Sequence, residues 1–167
     1  GLQGPATLEL DAANGGCAEL ELQVLSPGLW RARASAAGLP DAESNPLQAS
    51  EAGRRILWAD LHGHSGLSDG TGSPEDWWDY ARRVAGLDVA ALTDHDHWGQ
   101  PFLDAAPALW ERLHDAAHAA HADGRFVALI AYEWTSWLHG HRHVVSFEER
   151  LPLLASLDPA HESPRQL

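Results

Sequence analysis

Asp60-Leu61-His62-Gly63-His64 places one carboxylate and two imidazoles at alternate positions. In an extended segment residues two apart point the same way. The three side chains therefore share a face, and two imidazoles at this spacing can grip one metal ion or two neighbouring ones. Gly63 and Gly66 keep the loop compact and let other ligands approach. Asp69, between Ser68 and Gly70, is placed to add a carboxylate, and His95 adds an imidazole after the apolar run Leu87–Thr93. Glu133 follows a second apolar run, Phe126–Ala131, where a carboxylate could bridge two ions. His141 and His143 again lie two apart, on the face of a further strand. Imidazole together with carboxylate suits Zn²⁺, Mn²⁺ or Fe, and the near absence of thiol (Cys17 alone) argues against a closed structural zinc site. A mixed cluster that keeps open positions is a catalytic arrangement. Two ions roughly 3.5–4 Å apart would acidify a bridging water and clamp an in-line displacement at phosphorus.

These residues need elements to hold them. Residues 1–50 alternate apolar and polar side chains in Thr7–Leu10 and Ala18–Val24, and more loosely in Leu29–Ala34. The turn formers Asn14-Gly15-Gly16 and Ser26-Pro27-Gly28 lie between. This pattern predicts a small antiparallel β module, joined through a polar linker to a second domain over residues 51–167. There the rhythm becomes strand, loop, helix. Arg55–Ala59 reads as a short buried strand running into the histidine motif. Ser73-Pro74-Glu75-Asp76 reads as a helix start, with Ser at the N-cap and Pro at N1, and Gly86 as its stop. A strand over Leu87–Thr93, a helix over Ala105–Ala122, a strand over Arg125–Tyr132 and another over His141–Phe147 complete the prediction. Strand–helix–strand repeats argue for a parallel sheet or barrel whose functional groups lie past the C-terminal strand ends.

Leu57–Gly72, with its His-x-His and Ser-Asp-Gly, and Ala91–Trp98, with Thr93-Asp94-His95, together resemble the PHP (polymerase and histidinol phosphatase) superfamily in motif order and spacing. Ala131–Ser136 and Gly140–Val145 are similar to its next two motifs, and the likeness is closest to a branch with a β-rich N-terminal segment. The resemblance implies a distorted, TIM-like (β/α)7 barrel with two or three metal ions, hydrolysing phosphoesters through a metal-bound hydroxide. It implies His62, His64, Asp69, His95 and Glu133 as ligands. The next ligand falls on His141 in one alignment and on His143 in another. The family's last ligands, including an Asp-x-His motif, have no counterpart in this sequence, so the expected fold is a partial barrel after a small β module. A chain that begins at Gly1 and lacks Met is expected to be a piece of a longer one.

A net charge of −13, with all eleven cations arginine, is poorly suited to nucleic acid, whose binding needs clustered Lys and Arg. No apolar run approaches the roughly 20 residues needed to cross a bilayer. The expected partner is a small phosphoester or a related ester. Arg142 is the one cation inside a ligand motif and could hold a substrate phosphate. His114, His118 and His121 share a helix face and read as solvated. His97, His139 and His161 read as ordinary polar residues. Trp77 and Trp78 read as packing residues, Asp94 and Asp96 as groups orienting imidazoles, and Trp98 and Trp134 as pocket walls. The competing expectation is a non-catalytic metal-binding or scaffold domain.

Overall fold

The computed structural model describes all residues except Ala52, Arg54, Arg55 and Gln100, so Arg55 of the expected first strand lies outside the described residues. The chain divides into two compact units, Gly1–Leu57 and Trp58–Leu167.

Among its described residues the first unit holds three short antiparallel pairs. Strand β1 (Leu2–Gln3) pairs with β2 (Gln23–Val24), β3 (Gly28–Trp30) with β6 (Leu47–Ala49), and β4 (Arg33–Ala34) with β5 (Ala42–Glu43). The last two pairs nest, one inside the other. Thr7–Leu10 is not a strand, and only the end of Ala18–Val24 pairs. Alternation specifies a strand when one face is buried against a core, and here Leu8, Leu10 and Leu20 are all exposed.

The second unit carries a four-stranded sheet in the order β10-β9-β8-β7, made of β7 (Ala59–Asp60), β8 (Val89–Leu92), β9 (Val127–Ser136) and β10 (Gly140–Ser146). The first three strands run parallel. Helix α1 (Pro74–Asp79) links β7 to β8, and α2 (Pro107–Ala120) links β8 to β9. Ser73 caps α1 in a reciprocal capping box with Asp76. The helix continues as a π-helical turn, Tyr80–Val84, and leaves it through Gly86 at φ +64°.

The expected partial (β/α)7 barrel does not form. A barrel needs every strand to return parallel through a crossover of about ten or more residues. After β9 the chain has only Trp137, Leu138 and His139 before Gly140 turns it at φ +74°, so β10 returns antiparallel along β9. The residues after Ser146 form turns, and none of the described residues closes the sheet. The result, among the described residues, is an open mixed α/β sheet with two α-helices. No helix among the described residues is long and apolar enough to cross a membrane.

Side-chain alternation then assigns the two faces. Phe126, Ile130, Tyr132 and Trp134 of β9 and its approach, with Ala90 and Leu92 of β8, pack against Trp78, Trp110 and Leu113 of the helices. Ala91, Leu129 and Ala131 form a smaller cluster on the other parity. Glu133 and Thr135 continue that second series, and the register pairs Ala131 with Val145, Glu133 with His143, and Thr135 with His141. Arg142 has the opposite parity, opposite Trp134.

Candidate metal centre

Glu133 is the hub. It is 4% exposed, anchored by backbone hydrogen bonds from its N–H to the Asp94 carbonyl (3.0 Å) and from the Asp96 N–H to its own carbonyl (3.0 Å). Its Oε1 accepts a hydrogen bond from His141 Nδ1 at 2.6 Å. Its Oε2 has His64 Nε2 at 3.2 Å, His62 Nε2 at 3.3 Å and His143 Nε2 at 3.4 Å. None of the three is aligned as a hydrogen bond, and Oε2 is buried without a partner. His62 Nε2 and His64 Nε2 are themselves 3.0 Å apart. Burial pushes the Glu133 carboxyl up, but His95, His141 and His64 beside it outweigh this and hold it below the usual carboxylate value.

Two hydroxyls fix which ring nitrogens carry lone pairs. Thr135 Oγ1 donates to the Glu133 carbonyl (2.8 Å), so toward His95 Nδ1, 2.7 Å away, it can only accept. His95 therefore bears its proton on Nδ1 and presents Nε2 as a lone pair, 3.7 Å from Asp69. Ser68 Oγ likewise donates to Asp94 (2.5 Å) and accepts from His64 Nδ1 (3.3 Å), leaving His64 Nε2 free to face Glu133. This is how a ligand imidazole is oriented and its tautomer set. Burial holds the imidazoles of His95 and His143 below their ordinary value, favouring the neutral form a ligand requires.

The loop carrying His62 and His64 is fixed by backbone contacts. Gly63 and Thr93 exchange hydrogen bonds, the Thr93 N–H reaching the Gly63 carbonyl at 2.7 Å. Buried Asp94 accepts from the Ser65 N–H (2.9 Å) and the Ser65 hydroxyl (2.7 Å). Gly70 closes the turn against this segment, and a Cβ there would stand 2.0 Å from the His64 carbonyl oxygen.

Among the described residues, three groups of side chains could hold a metal ion: His62, His64 and Glu133; His64, Asp69 and His95; and His95, Glu133 and His141. In each, one ligand atom per residue lies within 4.8 Å of the others. His143 joins the rim through its 3.4 Å approach to Glu133, so both His141 and His143 face the cluster. Asp60 does not join it; its carboxylate accepts from the His62 N–H (3.1 Å). Arg142 donates to the His141 carbonyl (2.7 Å), on the parity opposite to the ligands.

Other expectations are corrected. Trp134 is fully buried in the core and donates to the His161 carbonyl (2.9 Å), so it packs beneath the sheet rather than standing at the open site. His114 is not solvated: it is 1% exposed and packs on Trp110 at 4.5 Å. His97 is buried, with Nδ1 close to Ser156 Oγ (2.6 Å) and Asp96 (3.2 Å). Asp96 spends its carboxylate on the N–H groups of Thr135 (2.9 Å) and Ser156 (2.6 Å), bracing β9 rather than an imidazole of the cluster. Sequence reading missed Thr135, although its place two residues after Glu133 on one strand is the signal that would have found it.

A family model described as "Protein of unknown function (DUF3604)" matches residues 91–163, which include His95, Glu133, His141 and His143. No curated protein and no solved structure matches the chain.

Proposed function

We propose that the unit Trp58–Leu167 is a metal-dependent hydrolase acting on a small phosphoester. The observation that carries this reading is the buried Glu133 Oε2, which lacks a hydrogen-bond partner yet faces three imidazole Nε2 atoms at 3.2–3.4 Å. A buried acceptor left unpaired costs about 1–3 kcal/mol. A cation held among these atoms would remove that penalty. His62, His64 and Glu133 would hold one ion, and His95 with Asp69 or His141 would hold a second. Zn²⁺, Mn²⁺ and Fe all suit this donor set.

A divalent cation, if held by these residues, would supply Lewis-acid polarisation of a phosphoryl oxygen and a lowered pKa for water. The chain's own contribution is orientation. Thr135 and Ser68 fix the tautomers of His95 and His64, and Glu133 supplies the fixed negative charge. The order of the His-x-His, Ser-Asp-Gly and Thr-Asp-His motifs, similar to that of the PHP superfamily, supports the same chemistry. The acidic chain favours a small substrate over nucleic acid.

Elemental analysis after loading with each metal, paired with turnover of phenyl phosphate, tests the reading. Wild type is expected to retain at least one ion per chain and to turn over. Glu133→Gln is expected to lose metal affinity by more than about 100-fold, the upper end for residues that only support a ligand. Turnover that survives replacement of both His62 and His64 by Ala would refute the proposal. Metal uptake without turnover would leave a metal-binding module.

A further inference from the structure

Beyond the ligands, four rings form a continuous stack. His64 lies on His95 (centroids 4.7 Å, planes 23° apart), His95 on Trp98 (5.5 Å, 31°) and Trp98 on Trp137 (5.1 Å, 23°). The stack begins inside the candidate metal centre and ends at Trp137, a residue 73% exposed. Trp137 also walls a cleft of about 320 Å³ that reaches Ser136, Leu138, His97, Ser156 and Leu157. That volume is at the lower end for small-molecule sites. Glu162 lines the cleft too, so its field disfavours a second anionic group. His97, 9% exposed, lines it as well, and its buried Nε2 has no hydrogen-bond partner among the described residues.

We infer that this cleft takes the non-reacting part of the substrate, and that this part is a flat, uncharged aromatic group lying on Trp137. The inference rests on the metal-dependent reading for where the reacting end would sit. An aromatic ring continues the stack in the offset geometry that indoles favour, whereas a saturated chain gains only contact area. Trp137 also lies beside the candidate ligand His141 (centroids 6.4 Å, planes 87° apart), so a ring joined directly to a phosphoryl at the cluster is within reach of its indole.

Phenylphosphonate and methylphosphonate share a headgroup and differ in the ring. Titrated calorimetrically into protein loaded with Zn²⁺, with the metal counted first, phenylphosphonate is expected to bind about tenfold more tightly. In Trp137→Ala, an exposed position where folding is not at stake, the ratio is expected to fall to near one. Equal binding by wild type, or a ratio unchanged in Trp137→Ala, overturns the inference. The indole N–H signal of Trp137, identified as the one missing from Trp137→Ala, gives a readout independent of metal. Should the protein take up no metal, the functional reading fails, and phenol added to the metal-free protein decides the platform by itself. A shift of that signal upholds the platform and an unmoved signal overturns it. Metal-loaded protein that binds neither phosphonate also overturns the inference.

Discussion

Replacing Thr135 by Val removes one hydroxyl and keeps the side chain's shape, which makes it a sharp test of how the cluster is oriented. Thr135 Oγ1 makes two hydrogen bonds, 2.8 Å to the Glu133 carbonyl and 2.7 Å from His95 Nδ1. Both are buried. In the variant, His95 Nδ1–H is left without its acceptor at a position where the ring is 5% exposed. A buried donor stranded in this way costs about 1–3 kcal/mol. The metal-free protein can relieve part of that cost by moving the proton to Nε2, and that relief destroys the lone pair a metal needs. The penalty therefore falls mainly on the metal-bound state. Groups that orient a ligand imidazole contribute about 10–100-fold to metal affinity, and this range is expected for Thr135→Val. Thr135→Ser keeps the hydroxyl and is expected to stay within a few-fold of wild type. Competition against a chromophoric chelator measures the affinity, and urea unfolding of the metal-free proteins measures the part charged to the fold. Thr135→Val binding metal as tightly as wild type would refute the assigned tautomer, and with it the argument that β9 presets His95.

Two further predictions concern the scaffold. Gly70→Ala would bring a Cβ to 2.0 Å from the His64 carbonyl, so the turn must open; a stability loss of about 1–3 kcal/mol is expected from overpacking, together with reduced metal occupancy, by urea unfolding and elemental analysis. His114, buried against Trp110, has its imidazole pushed below the ordinary value of 6.5, chiefly by burial. The unfolded chain then binds the proton more readily. The contribution of His114 is complete above pH 6.5 and is lost as pH falls from 6.5 through its depressed folded value. The metal-free protein is expected to show a falling Tm over that interval, with a shallower fall in His114→Gln. An unchanged slope in the variant would remove His114 as a cause.

Much of the candidate site was legible because its residues obey local rules. His62 and His64 sit beside the end of β7, His95 just past β8, and Glu133, His141 and His143 share one parity of a hairpin. Period-two spacing and strand-end position are visible in a linear sequence. The barrel was not legible, because its test was the return direction of one strand, set by the short link Trp137–His139. Nor was the burial of His114: an alanine-rich helix face carries little signal of what packs on it, and Trp110 and Tyr132 decide the matter from outside that pattern. The expected strand at Thr7–Leu10 failed for the converse reason, since a strong alternation had no buried surface to face. Asp96 was misread because its partners include Ser156, far along the chain and within no motif.

That long reach has a kinetic consequence. The cluster draws on His62 at one end and His143 at the other, and the strand that carries Glu133 is held from further still, through Tyr132 with Leu154, Asp96 with Ser156 and Trp134 with His161. Loop-closure entropy must be met for each of these contacts before any of them is rewarded, which places the cluster among the slow, topology-limited events of folding. Glu133 thus meets its imidazoles only after the sheet has assembled. A cation present earlier encounters eleven histidines on a flexible chain, and whatever it binds there subtracts from its pull toward the native state.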